Sequence, residues 1–195
     1  MRVKLKIKIL LSIILVLTVF SCSGNSFNKL SVENPEKLIQ MQDSLLNNNV
    51  NNSKLLNALA ISHNTIAKKY LKENQFVFAL NHFKESSKFN ENNLYSKYGV
   101  LISEGQILIQ KGNKNGIWDA IEKYSKAATL YPNEGEPYYL IGVAYTKLSD
   151  KDFDLILESF EKALSLNLDD DLKLKVDKRY NRVKSRKKNL DNFWK

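Results

Sequence analysis

Large and small side chains alternate at fixed helical offsets three times along this chain, which constrains its fold more than any other feature. Counting from His63, Ile66, Ala67 and Tyr70 follow at +3, +4 and +7, then Ala79 at +16 and Phe83 at +20. Counting from Tyr138, Ile141, Gly142 and Tyr145 fall at the same +3, +4 and +7, and Phe160 and Ala163 follow further on. Between these copies, Ala120, Tyr124, Ala127 and Pro132 are spaced 4, 3 and 5 apart. Steps of three and four place the large residues on one stripe of a helix, and they do not fit the alternation of a strand. The small residue at +4 lets a second helix approach closely. Small residues in that second helix (Ala79 and Ser86; Ala120 and Ala127; Ala163) leave room for the ring between them.

This size pattern resembles the tetratricopeptide (TPR) repeat, W-x2-L-G-x2-Y…A-x3-F…P on a helix-turn-helix unit. The resemblance implies an all-α solenoid of about three helical hairpins over residues 54–170. An N-terminal helix precedes them and a C-terminal capping helix follows. Pro132 closes the middle unit, because proline has no amide donor and clashes with the preceding turn. The last copy has two extra residues around Leu148 to Asp152, and Leu168 where the closing proline would fall. In the middle copy Tyr95, Tyr98 and Gly99 suit a first helix, yet Ala120 comes nine residues late. We read a lengthened helix over 94–110 and a polar loop over 111–116.

The first residues carry a different signal. Arg2, Lys4, Lys6 and Lys8 precede an uncharged run from Ile9 to Phe20. Twelve residues are too few for a membrane span, which needs about 20, and they suit a signal-peptide core. Val19, Phe20, Ser21 and Cys22 then resemble a relaxed bacterial lipobox. That resemblance implies cleavage after residue 21 and covalent lipid on Cys22. Cys22 is the sole cysteine, so no internal disulfide competes for it. Two or three acyl chains would hold the protein on a membrane stably.

Residues 22–34 read as a polar tether rich in Ser and Asn. Asn34-Pro35-Glu36 marks a helix start, with Asn as cap and Pro in the first turn, and Leu38, Met41 and Leu45 give its apolar stripe. From Asp171 onward the chain reads as a basic amphipathic helix over 171–195. Leu172, Val176, Tyr180 and Val183 form its face, and Leu190, Phe193 and Trp194 continue it. Its first assigned role is to cover the last repeat, as the terminal unit of a solenoid requires.

The formal charge of +9 is unevenly placed. Residues 22–170 hold 16 Lys/Arg against 18 Asp/Glu, while the tail holds 10 against 3. A basic helix with aromatic ends is compatible with a solvated cap, an acidic partner or anionic lipid. Nucleic acid does not fit an exported lipoprotein.

No enzymatic constellation stands out. His63 takes a large packing position, and neither it nor His82 has acids at metal-motif spacing. Asp150, Asp152 and Asp154 lack the glycine and distal glutamate of a calcium loop. The expectation is therefore a binding protein with no cofactor other than the lipid on Cys22 and no metal. In TPR proteins first helices line a concave groove. Carried over by position, this implies Asn64, Lys68 and Lys72 in the first unit, and Tyr139, Val143, Thr146 and Lys147 in the last. The plan of lipobox followed by TPR units resembles lipoproteins of outer-membrane β-barrel assembly and of pilus-secretin assembly. It also resembles TPR lipoproteins that accompany solute transporters. The expected role is a protein-interaction scaffold in the bacterial cell envelope, on the periplasmic side of the outer membrane or at the cell surface. The alternative is a transporter-associated periplasmic protein that binds a small ligand.

Overall fold

The computed structural model of the chain describes residues 23–48, 51–149 and 152–193, which form helices and short turns with one isolated bridge. The helices are α1 (Ser23–Glu33), α2 (Pro35–Gln40), α3 (Gln42–Asn48), α4 (Ser53–Lys72) and α5 (Phe76–Phe89). They continue as α6 (Leu94–Lys111), α7 (Lys114–Leu130), α8 (Glu136–Leu148), α9 (Phe153–Leu164) and α10 (Asp170–Phe193). The leader, Cys22 and Trp194 lie outside the described residues.

Asparagine starts four of these helices. The side chains of Asn34, Asn52, Asn93 and Asn113 accept amide hydrogen bonds from the first turns of α2, α4, α6 and α7. Each satisfies donors that the helix itself leaves open, at about 1 kcal/mol per cap. Asn74 (φ 58°) and Gly112 (φ 71°) make the left-handed turns after α4 and α6. Both are residue types that tolerate that conformation.

Helices α4–α5, α6–α7 and α8–α9 pair in sequence, and α5, α7 and α9 each also pack on the helix that follows. One contact recurs in all three pairs, a ring seated where the facing helix is small. Phe83 packs with Ala67 and Ala79. A Cβ on Gly105 would overlap Tyr124 Cε1, and one on Gly142 would press on Phe160 Cε1. Phe83, Tyr124 and Phe160 are almost wholly buried.

The middle pair corrects the sequence reading in its details. The first helix is lengthened as expected, but only residues 112 and 113 separate it from α7. The additional residues extend both helices instead of forming a polar loop. Gly105, not Gly99, meets the ring of its own hairpin, while Gly99 lies under Phe83 of the preceding pair. Six residues, nearly two turns, separate the two glycines, so α6 serves a ring on either side.

The N-terminal segment also differs. The expected polar tether is α1, which packs on α4. Phe27 and Leu30 join the cluster of Leu38, Leu55, Ala58 and Leu59, and Ser31 is fully buried with its hydroxyl on Asn28 O. Phe27, Leu30 and Ser31 sit three and four residues apart, enough to make one helical edge despite the polar composition. The single helix expected after Asn34 breaks at Met41, whose side chain is exposed.

At the other end, α10 lies on α9 through Val176 and Val183. The turns before α8 and before α10 are joined by Gly135 N to Asn167 O at 2.8 Å and Asn167 N to Asn133 O at 2.9 Å. Gly135 is required there: a Cβ would strike Ala163 O and stand 2.8 Å from Leu168 Cδ2.

Gly105→Ala tests the ring contact. On helix propensity alone this change stabilises by about 1 kcal/mol. With Tyr124 in the way, the sign reverses, and overpacking of about 1–3 kcal/mol lowers the melting temperature by several degrees. A variant as stable as the parent would mean that the ring contact does not limit packing.

Candidate functional site

The first helices of the three pairs, α4, α6 and α8, bring together a row of polar and aromatic side chains. Tyr98 Oη donates to Glu136 Oε2 at 2.8 Å, which joins α6 to the first turn of α8. Tyr95 stacks on Tyr98 with centroids 6.3 Å apart, and Tyr131 meets Tyr98 edge-on at 5.3 Å. Burial holds the Glu136 carboxyl above its ordinary range. The Tyr98 hydrogen bond and the positive charge of Lys68 on α4 oppose that shift, while Asp169 and Glu134 reinforce it. Burial, and then the Glu136 charge, push the Tyr95 phenol up to about 12. The row thus offers ammonium groups along α4 and a protected carboxyl at the start of α8.

The residues inferred from the repeat position divide clearly. Lys68 and Lys72 are exposed on α4. Asn64 is not: it is buried, and its Oδ1 accepts from Ser96 Oγ at 3.1 Å, one member of a seam with Ser86. Its place on the helix faces α6, so it joins the hairpins and is not available in a groove. Tyr139 and Val143 pack against the cluster that holds Val176 and Val183 of α10. The Arg179 guanidinium lies 5.9 Å from the Tyr139 ring. The chain's own last helix therefore occupies part of the space assigned to a ligand. Thr146 turns its hydroxyl onto Val143 O at 2.6 Å, and Lys147 is exposed. Tyr98, Tyr131 and Glu136 were missed as site residues. The available signal was the pair of acids at 134 and 136 around the start of a first helix, close to Tyr131.

A second cluster joins both histidines. His63 Nδ1 and His82 Nδ1 are 2.9 Å apart, and His63 Nε2 is 3.0 Å from Gln42 Oε1. With Gln42 accepting, His63 carries its proton on Nε2, so His82 Nδ1–H donates to His63 Nδ1. Burial, then the neighbouring His82, lowers the His63 pKa from 6.5 to about 4, and burial lowers His82 also. A cavity of about 250 Å³ beside His82 is lined by Glu36, Ile39, Lys69 and Tyr70. Among the described residues no group of three or more His, Cys, Asp or Glu converges to hold a metal. The larger cavity, about 500 Å³ between α5, α6 and α7, is lined by Leu80, Ile107 and Leu108 beside Glu104, Asp119 and Lys123. Charged walls of that kind do not resemble an apolar small-molecule pocket.

Two pH effects of opposite sign follow. A histidine whose folded pKa lies below its unfolded value contributes stability in full above about pH 6.5, and that stability is lost as pH falls toward 4. Thermal melts therefore show a decline across that window, and the decline is smaller in His63→Gln. Glu136 acts oppositely: its raised pKa makes the folded state less stable as pH rises above the ordinary carboxylate value of 4.5. Glu136→Gln, which keeps an acceptor for Tyr98, melts above the parent at pH 7, and the gap closes near pH 4. A lower melting temperature for Glu136→Gln at pH 7 would show that the ionised carboxylate stabilises the fold.

No model of a known protein family matches this chain, and no curated protein matches it either.

Proposed function

We propose that this chain is a TPR-type bacterial lipoprotein, fixed to an envelope membrane through Cys22, whose α4–α9 hairpins form a short solenoid that docks a protein partner. The single observation that carries this reading is the ring-on-small contact repeated in consecutive hairpins, at Ala67/Phe83, Gly105/Tyr124 and Gly142/Phe160. Stacked hairpins of that kind build extended faces that bind other proteins. The row of Lys68, Tyr98 and Glu136 supports the choice of face, because those side chains come from the first helices of successive units. Among the described residues no helix is long and apolar enough to cross a membrane, so the attachment in this reading rests on the lipid.

Two measurements test the two halves separately. Cells fed labelled palmitate incorporate it into the chain, and Cys22→Ser abolishes the label and leaves an unprocessed precursor. A label retained in that variant would remove the lipoprotein half. For the docking half, a photo-crosslinker at position 72 on α4 yields a discrete crosslinked protein in native membranes. The same group at position 129, exposed on α7, does not. Crosslinks from position 129 alone would place the interaction on the other helices and overturn the assignment of this face.

A further inference from the structure

The last helix is strongly basic, and all three of its arginines lie along one edge. At about 100° per residue, Lys175, Lys178, Arg179, Arg182 and Arg186 fall within less than half of the circumference of α10, and all five are exposed. From Leu174 to Phe193 the only acids, Asp177 and Asp191, both lie outside that arc, on the side that also carries Lys184, Lys187 and Lys188. Asp171, on the arc, comes before it begins. Val176 and Val183, which bind the helix to α9, also lie outside it. Arg179 and Arg186 lie over the rings of Tyr139 and Phe153, each 5.9 Å away, and tie this edge to the body. Along the axis Leu174 and Phe193 stand at the two ends of this stretch, Phe193 within the arc and Leu174 about 40° beyond its edge, exposed by 78% and 70%.

We propose that this edge of α10 lies on an anionic phospholipid bilayer, with the cations among headgroup phosphates and Leu174 and Phe193 entering the interface. The distance favours a bilayer over an acidic protein patch. Nineteen residues of helix separate Leu174 from Phe193, about 28 Å, and five of the eight cations between them share one side. A planar anionic surface accepts cations along that whole length, and its interfacial layer accepts an apolar side chain at each end. A protein patch would need matching acids across the same span and two separate sockets. This contact goes beyond partner docking on α4, α6 and α8, and it does not depend on lipid at Cys22.

The full chain with Trp118→Phe retains Trp194 as its one tryptophan reporter. It is mixed with vesicles of phosphatidylcholine alone, or with about a third phosphatidylglycerol, with brominated acyl chains as quenchers. The expected result is a blue shift and quenching of Trp194 only with the anionic vesicles. High salt reverses both, and K175Q/K178Q/R182Q abolishes both while leaving the melting temperature and palmitate label of the protein unchanged. Equal quenching in both kinds of vesicle, no quenching in either, or quenching that survives the triple substitution would overturn the proposal. Quenching in both kinds of vesicle, lost only with Cys22→Ser, would assign the contact to the N-terminal lipid.

Discussion

An aromatic ring over a residue with almost no side chain is the contact from which the rest of this fold follows. It sets how near two helices can come, and Phe83 serves both neighbours of its helix, Ala67 on α4 and Gly99 on α6. Once Tyr124 rests on Gly105, Ile117, Ala120 and Ile121 have to turn toward α6 and α8, where they form the central core. The same step at Phe160 brings α9 against α8 and leaves Val176 and Val183 of α10 to close the end. Interiors packed at crystal-like density tolerate no extra methyl at such a point.

Much of this was legible because the signal is steric and periodic. The offsets of Ala67, Phe83, Gly142 and Phe160 sufficed to pair α4 with α5 and α8 with α9. The middle pair was half legible. Its length could be counted, but two glycines six residues apart, Gly99 and Gly105, compete for one role, and only packing on both neighbours tells them apart. The N-terminal helix α1 was hidden by composition: Ser and Asn dominate it, and its burial rests on Phe27, Leu30 and Ser31.

The face of α4, α6 and α8 was less legible than the scaffold. Position within a repeat names residues that point away from the packing stripe, and Lys68 and Lys72 are exposed on α4. It cannot tell that Ser96 reaches back to Asn64, or that α10 folds over Tyr139 and Val143, because both depend on neighbours distant in sequence. Nor does it mark Glu136, whose character comes from burial and from a tyrosine 38 residues away. Buried charge of this sort is costly for stability and rarely improves it, so its presence on this face sets it apart from the core.

The paired amide bonds between the turns at Gly135 and Asn167 have a mechanical meaning. Linear arrays of hairpins ordinarily lose their outermost unit first, because it has one neighbour instead of two. Here the terminal hairpin is clasped to the turn in front of it, so α9 and α10 cannot peel away without freeing the entry to α8. Among the described residues the opposite end shows no paired amide bonds between turns, and its short α2 and α3, six and seven residues long, are joined through Met41. Fraying is thereby directed toward the amino terminus, and the distal end of the molecule stays a firm platform.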